Sequence, residues 1–417
     1  MEAETAPLVS NDAIVMGLLA VLLGAVFWTS NSQIRFFKIF YRIFPPLLLC
    51  YFLPSMLNTF GVVDPDQSQL YFVSSRYLLP AALVLLTMSA DLPATFKLGP
   101  KALIMFLTGT IGVVIGGPAA LLIASAVVPD LIGVDGPEAV WRGMTTVAGS
   151  WIGGGANQAA MYEVFEVGDE IFSAWVAVDV IVANVWMAFL LLAASNSAAI
   201  DKRVGSDTRA VDHLRVKAEA YESEHARIPE LKDMMFILAI GFGAVAASHL
   251  LADQLAPYFG QFEALSDMSL SSGFFWLVLT ATAIGVVLSF SPARKLVAVG
   301  SMKTGSVFIY ILVASIGMNM DVTAIARNPE FFAIGFIWIA FHAGLMIVMA
   351  LIIKAPTFFL AVGSQANIGG AASAPVVASA FHPSLAPVGV LLAVVGYILG
   401  TAAATLTGEI LRVIAGA

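Results

Sequence analysis

The residues best suited to chemistry lie in two short polar stretches set within long apolar sequence. The first reads Gly149-Ser150-Trp151-Ile152-Gly153-Gly154-Gly155-Ala156-Asn157-Gln158 and the second Gly363-Ser364-Gln365-Ala366-Asn367-Ile368-Gly369-Gly370. The hydroxyls and carboxamides of Ser150, Asn157, Gln158, Ser364, Gln365, Asn367 and the nearby Ser373 are hard ligands for a small cation and hydrogen-bond partners for a polar solute. The glycines, with Gly153, Gly154, Gly155, Gly369 and Gly370 at the centre, each cost a helix about 0.8–1 kcal/mol relative to Ala. They also let a ligand or a moving helix come close to the backbone. A helix that ends inside a bilayer offers unpaired N–H groups and a partial positive charge, which suit a carboxylate, while free carbonyls suit Na⁺. Small residues serve tight helix packing as well, but packing alone does not call for Asn-Gln and Gln-Ala-Asn. All twelve residues named here are therefore candidates for solute binding.

Asp179 is the most informative single side chain. It falls inside a predicted span, 171–194, about 13 Å below the outer boundary at 1.5 Å per residue. A carboxylate at that depth costs roughly 2.5–3.5 kcal/mol on insertion scales. It follows the first polar stretch directly and is placed to meet it, as a Na⁺ ligand or as a proton carrier. Asn184, Asn157 and Asn367 join it as candidate ion-coupling groups. An Asp held by a packing hydrogen bond is the competing explanation. His342, at the middle of a predicted span, fits a hydrogen-bonded packing group better than a proton relay. Asp91 and Asp321 close equivalent spans and suit either a helix cap or an ion path. Arg142 suits an interfacial anchor or an attractor of anionic solutes, and Lys303 and Glu409 suit snorkelling near span ends. No Gly-x-Ser-x-Gly, no His-Glu-x-x-His and no phosphate-cradling Gly-rich loop followed by Lys occurs, so an enzyme is not expected. The coupling ion apart, nothing calls for a cofactor.

The elements that must position these groups are membrane helices. The 417 residues are 59% hydrophobic and 12% charged, against about a quarter charged in ordinary soluble chains, and apolar runs recur along most of the length. The single Cys50 excludes an internal disulfide framework, and scattered basic residues with a net charge of −8 exclude a nucleic-acid partner. The acidic residues Glu2, Glu4 and Asp12 argue against a secretory n-region, so the first apolar segment is expected to stay as a span. Spans are predicted near 12–29, 44–60, 70–90, 101–127, 171–194, 231–251, 271–290, 296–319, 331–353 and 384–410. A polar linker occupies 196–230, with a short helix near 207–227. The Trp and Tyr residues near span ends read as an aromatic belt.

Charge decides how the polar stretches, lying in 139–165 and 357–380, meet the bilayer. If both are re-entrant hairpins, sixteen of the twenty basic residues fall on one side, leaving Arg76, Arg142, Arg327 and Arg412 opposite. The positive-inside rule then puts the linker in the cytoplasm and both termini outside. Met88-Ser89-Ala90-Asp91-Leu92 is echoed by Met318-Asn319-Met320-Asp321-Val322, as the first polar stretch is by the second. Five spans per copy is an odd number, so residues 1–195 and 231–417 form an inverted repeat. The predicted class is an all-α polytopic membrane protein of about ten transmembrane helices plus two re-entrant hairpins.

On the Gly149–Gln158 motif the chain resembles the YjcL-like family of bacterial integral membrane proteins, and the likeness extends over most of its length. Its layout is also similar to the sodium–glutamate and 2-hydroxycarboxylate symporters, whose Gly-Gly motifs are matched loosely by Gly153-Gly154-Gly155-Ala156 and Gly369-Gly370. This resemblance implies an elevator-type carrier and a homodimer, with spans 44–60 and 231–290 in a scaffold and the hairpins with their flanking spans in a moving core. It transfers neither solute nor ion, because the relatives' Gly-Gly-Asn-Gly wording is absent. The expected function is Na⁺- or H⁺-coupled transport of an amino acid, short peptide or carboxylate across the bacterial cytoplasmic membrane. The alternative is a non-coupled channel or a holin-like regulatory membrane protein.

Overall fold

The computed structural model describes residues 8–44, 46–88, 99–132, 136–225, 227–262, 269–319, 326 and 328–416. Asp91 and Asp321 lie outside them. The described residues form helices joined by short connections: α1 (Asp12–Ser30), α2 (Arg35–Ile43), α3 (Pro46–Thr59), α4 (Leu70–Thr87), α5 (Pro100–Ser125), α6 (Val140–Gly153), α7 (Gly155–Val164) and α8 (Asp169–Ser195). Two polar helices, α9 (Ser197–Val204) and α10 (Arg209–His225), follow. The second half holds α11 (Leu231–Gly260), α12 (Gly273–Ser289), α13 (Ser301–Met318), α14 (Pro329–Ile353), α15 (Thr357–Ile368), α16 (Gly370–Phe381) and α17 (Ala386–Ala415).

Among the described residues, seven helices are long and apolar enough to cross a membrane, or up to nine if two bent pairs each count as one span. The expected span at 44–60 is shorter than its apolar run suggests. α3 has 14 residues with Pro54 inside it, about 21 Å of helix against the ~30 Å of a hydrocarbon core. The linker holds two helices rather than one, because Gly205 takes a left-handed conformation (φ 71°) that ends α9.

The helices sort into two packed groups. α1, α3, α4, α11, α12 and α13 pack chiefly on one another, while α5, α8, α14, α17 and the paired arms α6–α7 and α15–α16 form a second group. The closest packing in the second group is α5 on α14, and the sequence provides for it. Gly109, Gly112 and Gly116 fall on one face of α5 at spacings of three and four residues, which face the same neighbour on a helix. A Cβ on Gly112 would stand 2.9 Å from the Cα of His342, and one on Gly117 would stand 2.7 Å from the Trp338 ring. Trp338 Nε1 donates to the Val113 carbonyl at 2.8 Å.

Tryptophan placement corrects the aromatic-belt expectation in part. Trp28, at the end of α1, is exposed, whereas Trp141, Trp151, Trp175 and Trp338 are buried between helices. Large flat rings fill the gaps left beside glycine faces, and burial there outweighs an interfacial position.

Gly112→Val is expected to lower the melting temperature in detergent by the equivalent of about 1–3 kcal/mol, the usual cost of overpacking. Gly243→Ala, on the open face of α11 where a Cβ meets nothing within 4 Å, should leave it unchanged or raise it. Similar losses in both would contradict the packing described.

Candidate functional site

The first polar stretch forms a hairpin. α6 ends at Gly153, and Gly154 follows with φ 79° and ψ −173°, a conformation essentially confined to glycine. Its N–H donates to the Ser150 carbonyl at 2.8 Å, and Gln158 N–H returns to the Gly154 carbonyl at 3.1 Å. α7 then runs back along α6, so close that a Cβ on Gly149 would stand 2.5 Å from the Asn157 carbonyl oxygen. At the open end Arg142 donates to the Phe165 carbonyl, and its guanidinium lies 4.9 Å from the centre of the Trp141 ring. Arg142 therefore latches the base of the hairpin.

The second stretch does the same. α15 opens at Thr357, whose N–H and hydroxyl both donate to Asp201 of the linker at 2.7 Å. Gly369 separates it from α16, which opens at Gly370 with φ 57°. Gln365 Nε2 donates to Ser373 Oγ at 2.8 Å across the break, through space that a side chain at 369 would fill. Phe358 and Phe381 close the base, edge to face at 5.2 Å.

One helix joins the two. α17 is bent by 52° between Tyr397 and Leu399, and the bend receives both breaks. A Cβ on Gly396 would lie 2.7 Å from the Ile152 carbonyl and 3.4 Å from that of Ala366. The Tyr397 ring lies against Gly154, its hydroxyl lies near Gly370, and that hydroxyl accepts from Ala371 N–H at 3.3 Å. Gly389, toward the start of α17, packs on the Ala374 carbonyl of the second hairpin, while Gly408, toward its end, packs on Phe165 at the base of the first. The hairpins thus lie along opposite ends of α17, and their tips meet at its middle.

A cavity of about 540 Å³ opens beside that meeting point. Ser150, Gly154, Gly155, Asp179, Asn184, Gln365, Gly369, Ser373 and Tyr397 line it from the second helix group. From the first come Tyr71, Arg76, Ser272, Phe274, Ile316 and Asn319. The cavity therefore follows the seam between the two groups.

The remaining sequence-predicted residues brace this surface. Asp179 Oδ1 accepts from Trp151 Nε1 at 2.6 Å and Oδ2 from Gln158 Nε2 at 3.1 Å, so the first hairpin is clamped to α8 through that carboxylate. Asn157 is fully buried and accepts from Thr401 Oγ1 of α17 at 2.8 Å, in space left by Gly153 and Gly400. Asn367 donates to the Phe106 and Gly363 carbonyls and accepts from Thr110 at 2.7 Å, tying the second hairpin to α5. Ser364 sits in a relay, with Trp186 Nε1 donating to it at 2.8 Å and His342 Nε2 2.7 Å away. His342 Nδ1 faces the Gly109 carbonyl at 2.9 Å. A carbonyl only accepts, so Nδ1 donates to it, and in the neutral ring Nε2 accepts from the Ser364 hydroxyl. Both nitrogens are engaged, in keeping with a packing role.

Tyr397, Arg76, Asn319 and Trp151 were not singled out from sequence. Tyr397 lies in a plain apolar run, and Arg76 counts as a flanking charge until α4 is seen to place it on the cavity. Among the described residues no group of three or more His, Cys, Asp or Glu is arranged to hold a metal ion.

Helices of this length and apolarity, with broken segments satisfied inside the protein, define a polytopic helical membrane protein. The chain belongs to the family described as "Protein of unknown function (DUF819)", which it matches over residues 17–414. It is similar to the protein named "Uncharacterized membrane protein YjcL" of Bacillus subtilis (strain 168), with 26% identity over 364 residues that span 85% of this chain and 87% of that one. The likeness noted on the Gly149–Gln158 motif is thus shown over most of the chain.

Gly154→Ala should destabilise the protein by about 1–3 kcal/mol, because alanine strains at that conformation and its Cβ would stand 2.9 Å from the Tyr397 ring. Gly155→Ala points its Cβ into open space and should melt near wild type. Equal melting temperatures for the two variants would contradict the break geometry.

Proposed function

We propose that the protein is a secondary active transporter, coupled to Na⁺ or H⁺, that carries a small polar solute through the cavity between its two hairpin tips. The carrying observation is that both breaks abut Tyr397 and Gly396 from opposite ends of α17, beside a cavity whose wall includes Ser150, Asp179, Gln365 and Ser373. An interrupted helix at membrane depth is tolerated where it lines a cavity or is buried in protein, and paired interruptions in the two halves of a chain favour a transport site.

The approach of the hairpins from opposite ends of one helix supports the inverted repeat of residues 1–195 and 231–417. The two helix groups support an elevator: α1, α3, α4 and α11–α13 would be the scaffold, and the hairpins with α5, α8, α14 and α17 the moving core. This scaffold is larger than the symporter likeness implied, since α1, α4 and α13 join it. Sparse contact between the groups suits sliding, and a solute bound at the seam would be handed from one side to the other. A homodimer on the scaffold face, a cytoplasmic linker and both termini outside complete the proposal, which is of a carrier and not of an enzyme.

Asp179 is the proposed coupling residue, lining the cavity while two N–H groups of the first hairpin hold its oxygens. A carboxylate has further lone pairs for a cation, so binding of Na⁺ or a proton there would alter the grip on the hairpin.

The test is uptake into proteoliposomes from a ¹³C-labelled bacterial metabolite extract under an imposed Na⁺ or pH gradient, read by mass spectrometry. Accumulation of particular solutes above the bath level, abolished when the gradient is collapsed, is expected. Passive equilibration would indicate a channel, and no accumulation would sink the proposal. Asp179→Asn removes a charge-assisted interaction of about 1.5–3 kcal/mol and should cut gradient-driven accumulation tenfold or more. Unchanged ion dependence in that variant would remove Asp179 from the coupling site.

A further inference from the structure

Arg76 stands out among the cavity's walls. It lies six residues beyond the start of α4, about 9 Å along the helix, within a π-helical turn, Ser74–Leu78. Such turns leave an extra carbonyl without a helical partner and occur frequently at functional sites. Pro80, four residues on from Arg76, has no N–H to give the Arg76 carbonyl, and His249 of α11 faces that carbonyl, its Nε2 lying 3.1 Å away, while its ring lies beside that of Tyr77 at 5.7 Å. The distorted turn is thereby pinned from the neighbouring helix, with Arg76 on the cavity.

The guanidinium rests 4.3 Å over the Phe274 ring, and its hydrogen bond to Ser75 Oγ is long at 3.4 Å. Among the described residues no carboxylate lies within ion-pair distance of it. Asp179, on the same cavity, is held by Trp151 and Gln158. A ring stacked on a guanidinium's face leaves its in-plane N–H edge free, and that fork matches a carboxylate in a bidentate pair.

We infer that Arg76 recognises an anionic group of the transported solute, and that this solute carries a carboxylate. The inference rests on the carrier proposal and adds the chemical class. Ser150, Gln365, Ser373 and Asn319 can supply polar contacts for the remainder of the molecule, as a small amino acid or hydroxy acid requires.

The same proteoliposome uptake separates the two ideas. Every solute concentrated from the labelled extract should bear a carboxylate, and primary amides of those acids, offered at equal concentration, should compete at least tenfold more weakly. Arg76→Gln should reduce accumulation of these acids at least tenfold, and Arg76→Lys, which keeps the charge without the fork, should retain part of it. Accumulation of solutes that carry no carboxylate, equal competition by the amides, or wild-type uptake in Arg76→Gln would overturn the role of Arg76 and leave the carrier standing. No gradient-driven accumulation by the wild type would overturn both. If Arg76→Gln fails to fold, judged by gel filtration and melting, the identity of the accumulated solutes and the amide competition decide alone.

Discussion

A broken helix inside a bilayer exposes peptide groups that water cannot reach, and everything else in this protein follows from how those groups are satisfied. Each unpaired group would cost several kcal/mol in hydrocarbon. Here both interruptions are brought to one place, the bend of α17, where the Tyr397 hydroxyl takes the Ala371 N–H and glycine at 396 lets two hairpin carbonyls approach. A larger residue at 396 would push both hairpins away. The meeting of the tips is therefore written into α17 as much as into the hairpins.

Around that point the polar side chains divide into two kinds. Asn157, Asn367, Ser364 and His342 are buried and spend their hydrogen bonds on neighbouring helices, fixing where each hairpin stands. Ser150, Asp179, Gln365 and Ser373 have similar chemistry but reach the cavity. Asp179 belongs to both kinds, since its carboxylate lines the cavity and clamps Trp151 and Gln158. In the proposed carrier, a change of occupancy at that carboxylate would reach the hairpin through the Trp151 and Gln158 hydrogen bonds.

Much of this was legible in the sequence. The breaks are visible because glycine clusters and carboxamides are out of place in apolar sequence, and each segment does fold back on itself at its glycines. Asp179 could be tied to the first hairpin because chain order leaves it little choice. The division of labour among the amides was not legible, since Asn157 and Gln158 are adjacent and differ only in the direction a helix gives them. Tyr397 was hidden because one hydroxyl in an apolar run has no periodicity. Arg76 was hidden because charge counting assigns a basic residue near a span end to the loop, and nothing in the letters announces a π-helical turn. α3 looked long enough to span because composition, rather than the point where a helix ends, set its length.

The convergence of the two tips is most directly tested by cross-linking in native membranes. Gly155→Cys and Ala372→Cys place one thiol on each hairpin, both on the cavity wall, in a background with Cys50, itself buried, changed to Ala. A protease site inserted between α9 and α10 separates the chain halves. After treatment with a short bifunctional maleimide and cleavage, the two halves should remain joined on a denaturing gel, while each single-cysteine variant falls apart. Complete separation of the double variant, with both cysteines shown to react, would contradict a shared cavity between the hairpins.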